Sequence, residues 1–186
     1  MTLGTEFAAT LDEAKLGNEQ AIGRLYRDAQ PRLLGYFAAR APQAAEDLAS
    51  ELWLAVARGL PTFEGDEPAW WGYLFTIARR QVAGYWRQAK RRRTDSVEPA
   101  AFLDRPGSSD VEAEGIEAIA NSDAVALIVA NLSKDQAEVV LLRLIGGLDV
   151  EQVARILNKK PGTIRVLQHR AVKRLAAVVP GLAVIR

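Results

Sequence analysis

The chain has 186 residues and a mass of 20.3 kDa, enough for one domain of ordinary size or two small helical ones. Hydrophobic residues make up 49% of it and charged residues 25%, a balance that allows a buried core and excludes an intrinsically disordered chain. The absence of cysteine excludes disulfides and cysteine-based metal sites. We find neither a signal-peptide pattern nor an apolar run of about 20 residues, which predicts a cytoplasmic protein without membrane insertion.

The net charge of +1 conceals a strong asymmetry along the chain. Residues 1–93 carry 13 basic and 11 acidic side chains, a net of +2, and residues 118–186 carry 10 and 5, a net of +5. Between them, residues 94–117 carry 1 and 7, a net of −6. This distribution predicts two basic bodies joined by an acidic segment.

The N-terminal part is predicted to be helical throughout, because apolar residues recur at spacings of three and four across residues 11–56. Ala41-Pro42 and Leu60-Pro61 bound one helix, since proline disfavours helix at the residue before it. Residues 65–68 predict a loop, and the next helix is predicted over residues 69–91.

This helix of residues 69–91 has one apolar side, which is predicted to be core: Trp70, Leu74, Ile77, Ala78, Val82 and Tyr85. Seven basic residues and no acidic residue occupy residues 79–93, a density that attracts nucleic-acid phosphate. Exposed aromatic rings beside arginines also suit single-stranded DNA, because unpaired bases stack on them. Two plainer interpretations stay open: Trp70 and Trp86 are expected in the core, as most tryptophans are, and the basic run could be a solvated helix end.

Residues 94–115 are rich in proline, glycine, serine and carboxylates, which predicts a flexible linker. Helical periodicity returns at Ile116 and continues to the end of the chain. The predicted fold is therefore all-α, with two small helical domains, residues 1–93 and 118–186, joined by a flexible acidic linker of residues 94–117.

The C-terminal domain contains a helix-turn-helix pattern. Asp149 is a good N-cap for a short helix over residues 150–157, and residues 158–160 then make a tight break. Pro161 suits the first turn of the following helix, which we expect over residues 162–178. Two helices joined by so short a turn are typical of helix-turn-helix DNA-binding domains.

The second helix of this pair is predicted to pack through Ile164, Leu167, Ala171 and Leu175. Its outward side is predicted to present Arg165, Val166, His169 and Lys173. Every formal charge on the helix is positive, and such a helix suits the major groove, where arginine reads guanine and lysine neutralises phosphate. The plainer alternative is a solvated basic face, with His169 as an ordinary surface histidine. One histidine and no cysteine predict that there is no metal site.

Two ordered sets of motifs lie on either side of the linker. The first comprises Ala45 to Leu48, Glu51 to Leu54, Leu74 to Arg80, and Arg87. The second comprises Leu132 with Gln136, Leu141 to Arg143, Gly147-Leu148, Val153-Ala154, Gly162 to Arg165, His169 to Ala171, and Arg174-Leu175. Together they resemble the second and fourth conserved regions of the extracytoplasmic-function sigma factors of bacterial RNA polymerase, over nearly the whole chain except the linker.

The resemblance implies a role for each helix. In that family the helix between the two proline breaks docks on the clamp helices of core RNA polymerase, which implies contacts from Asp47, Leu48, Glu51 and Trp53. The next helix opens and holds the −10 promoter element as single strands, which implies Tyr73, Thr76, Arg79, Arg80, Arg87, Lys90 and Arg91. The helix-turn-helix reads the duplex −35 element near the polymerase flap region, which implies Lys160, Thr163, Arg165, Val166, His169, Arg170 and Lys173. The acidic linker would thread toward the RNA exit path.

Some residues depart from the family pattern. Ser50 replaces a common glutamine, and Tyr73, Arg80 and Gly84 stand where the family commonly has tryptophan, asparagine and aspartate. Lys160 replaces the usual small hydroxyl N-cap of the recognition helix. The −10 sequence that this chain prefers is therefore left open.

These observations predict a promoter-specificity factor that binds core RNA polymerase, recognises the −35 and −10 elements and promotes DNA melting. No catalytic residue and no cofactor are expected. One alternative is a stand-alone helix-turn-helix regulator, which would bind duplex DNA without polymerase. A second is a helical protein-binding adaptor with no dependence on DNA. Members of the family often have an anti-sigma partner, but no residue here indicates one.

Overall fold

The computed structural model describes residues 3–95 and 130–178, and within them every regular element is a helix, which confirms the all-α prediction. These described residues form α1 Phe7–Lys15, α2 Glu19–Arg40, α3 Ala45–Gly59, α4 Glu67–Asp95, α5 Lys134–Leu144, α6 Val150–Leu157 and α7 Pro161–Val178. Short 3-10 helices lie at Gly4–Glu6, Pro42–Ala44 and Leu60–Thr62. Most of the predicted linker and the periodic residues that follow it, to residue 129, lie outside the described part of the chain.

Helix α4 is longer than predicted at both ends. The side chain of Asp66 accepts a hydrogen bond from the backbone N of Ala69 at 2.9 Å, so the helix begins before residue 69. Pro68 fits this first turn because amide groups there have no partner within the helix. At the other end the helix continues to Asp95, two residues into the segment predicted as linker.

In the C-terminal half, side chains cap the starts of two short helices. Ser133 with Gln136, and Asp149 with Gln152, form capping boxes that begin α5 and α6. Asn158 ends α6 in the left-handed conformation, at a φ of 51°, and the chain enters α7 three residues later. The helix-turn-helix prediction is therefore confirmed.

In the N-terminal half, α1 to α4 pack around a core that includes Leu33, Phe37, Leu52, Trp70 and Leu74. The predicted apolar stripe of α4 faces this core, although Ile77 and Tyr85 are only half-buried. The expectation that Trp86 is core is wrong. It is 52% exposed and donates from Nε1 to the carbonyl of Arg40 at 3.0 Å, because it lies one position, or about 100°, beyond the stripe.

The two halves are docked on each other through one continuous apolar core. Phe75 of α4 is fully buried, and a Cβ atom on Gly146, between α5 and α6, would lie 3.2 Å from its ring. Elsewhere in the contact, a Cβ atom on Gly35 of α2 would lie 3.2 Å from Cγ2 of Ile145. Glycine at both positions allows this close approach. The sequence predicted two bodies but not their contact, because no local pattern reports packing between distant segments.

Candidate nucleic-acid interface

The outer face of α7 is basic and open to solvent. Ile164, Ala171 and Leu175 are buried against α5 and α6, and Leu167 is half-buried. The exposed side carries all the residues predicted for it, together with Arg170: Arg165, Val166, His169, Arg170 and Lys173. The helix therefore presents a cationic, partly apolar surface of the width that a DNA major groove admits.

Arg165 is held by a neighbour on the preceding helix. Its Nη2 atom lies 2.9 Å from Oε1 of Glu151, and both side chains are more than half exposed. An ion pair so exposed adds little stability, so its main effect is on where the guanidinium group points. Sequence analysis identified Arg165 but not Glu151, which lies 14 positions away and is brought near only by the turn.

The start of α7 is also accessible. Lys160 and Thr163 are exposed, and the Lys160 carbonyl accepts from the backbone N of Thr163 at 2.8 Å and of Ile164 at 3.2 Å. The neighbouring Lys159 is paired with Asp135 at 3.1 Å. Backbone N–H groups at a helix start attract anions, so this end suits a phosphate.

The residues of α4 predicted to contact the −10 element divide into two groups. Arg80, Arg87, Lys90 and Arg91 are exposed. Tyr73 and Thr76 are half-buried: the Tyr73 ring lies 5.2 Å from Phe63 and 5.9 Å from Trp70, and the Thr76 hydroxyl donates to the carbonyl of Gly72 at 2.7 Å. Tyr73 therefore offers only part of its ring for stacking.

Arg79 differs from the other predicted −10 contacts because it is bonded to residues of the C-terminal half. Its Nε atom lies 3.5 Å from Oε1 of Glu138 in α5, and its Nη1 atom donates to the carbonyl of Ile156 at 3.4 Å. Oε1 of Glu138 also accepts from the Tyr36 hydroxyl at 2.7 Å, while Oε2 lies 3.2 Å from Nη2 of Arg40. One buried carboxylate thus joins three side chains of the N-terminal half.

Burial and the neighbouring Glu138 carboxylate raise the pKa of Tyr36 well above its ordinary value. The hydroxyl therefore stays protonated and acts as a hydrogen-bond donor. On the same helix, burial raises the pKa of Asp28, against the opposing effect of Arg32.

The predicted polymerase contacts on α3 also divide. Asp47 and Glu51 are exposed, but Leu48 is only 5% exposed and belongs to the core, so its side chain is not available to a partner. Trp53 is half-buried, donates to Gln30 at 2.7 Å and lies 4.9 Å from the Tyr26 ring.

A groove beside this face of α3 was missed by sequence reasoning. It is lined by apolar side chains that include Ile22, Tyr26, Trp53 and Leu54, and Leu54 is 62% exposed. The signal was present in the sequence as an apolar residue off the core face of α3, but single exposed apolar residues are common.

The described residues, 3–95 and 130–178, contain no group of three or more histidine, cysteine, aspartate or glutamate side chains that could hold a metal ion. No helix among them is both long enough and apolar enough to cross a membrane.

Two protein-family models match the chain. Residues 25–92 match Sigma-70 region 2, and residues 122–175 match Sigma-70 region 4. The chain is 33% identical to the ECF RNA polymerase sigma factor ShbA of Streptomyces griseus, over 94% of this chain and 95% of that protein. It is 30% identical to SigD of Mycobacterium tuberculosis, over 92% of this chain and 83% of the relative. It is also 33% identical to BldN of Streptomyces coelicolor, over 91% of this chain but only 64% of BldN.

Solved structures share the fold. CnrH, solved in complex with the cytosolic domain of CnrY, matches with a TM-score of 0.66 and 19% identity over 91% of this chain and 94% of that one. The sigma factor RpoE of Bartonella quintana, solved with the anti-sigma factor NepR, matches with a TM-score of 0.64 and 23% identity, over 89% and 98%. The two family regions, in this order and with relatives that match over nearly their whole length, show that the chain belongs to the extracytoplasmic-function sigma factors, the promoter-recognition subunits of bacterial RNA polymerase.

Proposed function

We propose that this chain binds core RNA polymerase in the cytoplasm, recognises the −35 and −10 elements of its promoters, and promotes melting of the −10 region. The single observation that carries the proposal is the exposed cationic face of α7, on a helix-turn-helix whose first helix is capped at both ends and whose second helix is packed against the core. The family membership supplies the polymerase as the common platform of both domains.

The proposed division of labour follows the domains, residues 1–93 and 118–186, with the linker of residues 94–117 between them. The predicted residues of α7 and its start would read the −35 duplex, and those of α4 would hold the separated −10 strands. Asp47 and Glu51 would contact the polymerase clamp helices, with Trp53 at the edge of the apolar groove. The chain acts by binding alone in this proposal, with no catalytic centre, metal or cofactor of its own.

Melting would be driven by binding energy. Unpairing a base costs a few kcal/mol, which stacking on aromatic rings and neutralisation of phosphates by arginines repay. Exposed Arg80, Arg87 and Arg91 on one helix supply the cations, and half-buried Tyr73 supplies part of a ring.

The decisive experiment adds the purified chain to core polymerase on a pool of fragmented genomic DNA and sequences the 5′ ends of the transcripts. We expect starts at a small set of sites that share two upstream sequence elements. Starts no different from those of core polymerase alone would contradict the proposal. Tight duplex binding without any effect on polymerase would favour a stand-alone regulator instead. Adding an anti-sigma protein identified by co-purification would test that further partner.

A further inference from the structure

The residue at the centre of the outward face of α7 is apolar, although basic residues stand beside it. Val166 is 48% exposed and lies about 180° around the helix from buried Leu175 and about 160° from buried Ile164. Its side chain therefore points almost directly away from the core. Val172 differs in this respect, because it is 52% exposed but lies only about 60° from Leu175, at the margin of the core stripe.

One turn before Val166, the same face of α7 has no side chain. Gly162 lies four positions earlier, and residues four apart are neighbours on a helix surface. A Cβ atom on Gly162 would meet nothing within 4 Å, and its φ is not positive. Neither packing nor backbone conformation therefore requires glycine at this position. The backbone of the first turn of α7 is open to close approach by another molecule.

Both residues are poor choices for the stability of α7. Valine favours helix less than alanine does, and glycine favours it less than any residue except proline. Neither Gly162 nor Val166 offsets this preference by burial, since both are exposed. A contact with another molecule accounts for the two residue types, whereas the folding of α7 does not.

The side chains around this pair favour DNA as that molecule. Arg170 and Lys173 lie about one and two turns beyond Val166 on the same face, and both are exposed. No acidic residue occurs in α7. An apolar centre within a cationic face matches a DNA duplex, because the phosphates attract the cations while the base edges lie in the groove between the phosphates.

The chemistry of the major groove then favours one base. The groups that distinguish the base pairs there are hydrogen-bond donors and acceptors, with one exception, the apolar C5 methyl group of thymine. A valine placed against a donor or acceptor would displace water without replacing its hydrogen bond, which costs free energy. The Val166 side chain has no polar atom, so thymine is the base that it fits.

We propose that Val166 recognises the C5 methyl group of a thymine in the −35 element, and that Gly162 lets the duplex come close enough for this contact. The inference rests on the proposed function and adds to it the type of one base and the residue that reads it. Loss of one buried methyl group from such a contact corresponds to about fourfold weaker binding.

The experiment first removes the methyl group from the DNA. In a promoter found by the transcript-start experiment, each thymine of the −35 element is replaced singly by deoxyuridine, which pairs with adenine as thymine does but lacks the C5 methyl group. The affinity of the polymerase holoenzyme for each duplex is measured by competition with the labelled, unmodified promoter. We expect one thymine whose replacement weakens binding about fourfold.

The second step removes the protein side of the contact. Val166→Ala should weaken binding to the unmodified promoter by about the same factor, and it should no longer respond to deoxyuridine at that one position, because the two changes remove the same contact. Val172→Ala is the matched control, since it removes the same two methyl groups from a similarly exposed residue of the same helix. It should keep both the affinity of the parent and its response to deoxyuridine.

Gly162→Ala tests the close approach. Alanine favours helix over glycine and its Cβ would meet nothing within 4 Å, so the free energy of unfolding should not fall. We nevertheless expect weaker binding to the promoter, because the added methyl group separates the helix from the duplex. Urea denaturation and the same competition assay measure the two effects, and parent-like binding by Gly162→Ala would overturn the close approach.

Two further outcomes would overturn the contact. If the response to deoxyuridine persists in Val166→Ala, another residue reads the methyl group. If the parent responds at no thymine, no methyl group is read, while the proposed function stands because transcription itself identified the promoter. If no transcript starts are found, the proposed function fails, and duplexes selected from a random pool by the chain alone then decide the contact through the same substitutions.

Discussion

The guanidinium group of Arg165 stands on the exposed face of α7, with the Glu151 carboxylate 2.9 Å away as its partner. An arginine presented in this way can form two parallel hydrogen bonds to a guanine edge, whereas a lysine at the helix start neutralises a phosphate without reading sequence. The same cationic face thus contains residues with different expected effects on specificity.

Arg165→Ala is expected to lose discrimination at one base pair of the −35 element, by about 1–3 kcal/mol, because a bidentate contact is removed. Lys160→Ala serves as the comparison, since it should weaken binding to all sequences about equally. The measurement is competition between the best promoter and single-base variants of its −35 element, with polymerase holoenzyme. An unaltered base preference in Arg165→Ala would show that Arg165 does not recognise a base of the −35 element.

Tyr36 makes the stability of the folded protein fall at alkaline pH. Burial and Glu138 raise the pKa of its hydroxyl above the unfolded value of about 10, while Arg40 and Arg79 oppose that shift. The unfolded chain therefore loses this proton at a pH at which the folded chain keeps it, so stability is full below about pH 10 and falls as the pH rises further. In urea unfolding between about pH 9.5 and about pH 11, the free energy of unfolding of Tyr36→Phe should fall less steeply than that of the parent, because one titrating group has been removed. Parallel curves for the two proteins would contradict this.

At the scale of elements, the short helix α6 depends on Asp149, the N-cap residue that precedes it. Eight residues are too few for a helix that is stable alone, and the Asp149 capping box supplies two hydrogen bonds at its start. This helix sets the turn that places α7.

Asp149→Ala should lower the free energy of unfolding by about 0.5–2 kcal/mol, because the cap is lost. Asp149→Ser retains a side-chain acceptor and should recover most of this loss. Urea denaturation followed by circular dichroism measures both. Equal stability of Asp149→Ala and the parent would mean that the tertiary contacts of α6 hold it without a cap.

Helix α3 presents its acidic residues on the side away from its core stripe. Combined Asp47→Ala and Glu51→Ala should weaken association with core polymerase at least tenfold, or about 1.4 kcal/mol, while leaving duplex binding unchanged. Glu6→Ala with Glu13→Ala removes the same charge from exposed positions elsewhere. Fluorescence anisotropy with labelled chain and unlabelled core polymerase gives the affinities. Equal affinities for the two double variants would assign the contact to other residues.

At the scale of the whole molecule, the docked halves share one apolar core, so they should unfold together. We expect one transition for the parent in scanning calorimetry, and two for Gly35→Leu, because the halves then unfold independently. Gly23→Leu should keep the single transition. Two transitions in the parent would show that the contact couples the halves too weakly to matter for stability.

The sequence by itself determined the helices, the helix-turn-helix and the faces of α7, because caps and the 3.6-residue period are local signals. Asp149, Asn158 and Ile164 each have the structure that their type and spacing predict. The pairing of Arg79 with Glu138 and of Arg165 with Glu151 was decided only by tertiary structure. These depend on which distant helix faces each residue, and that choice follows from packing shape and the pairing of buried charge, which leave no periodic trace along the chain.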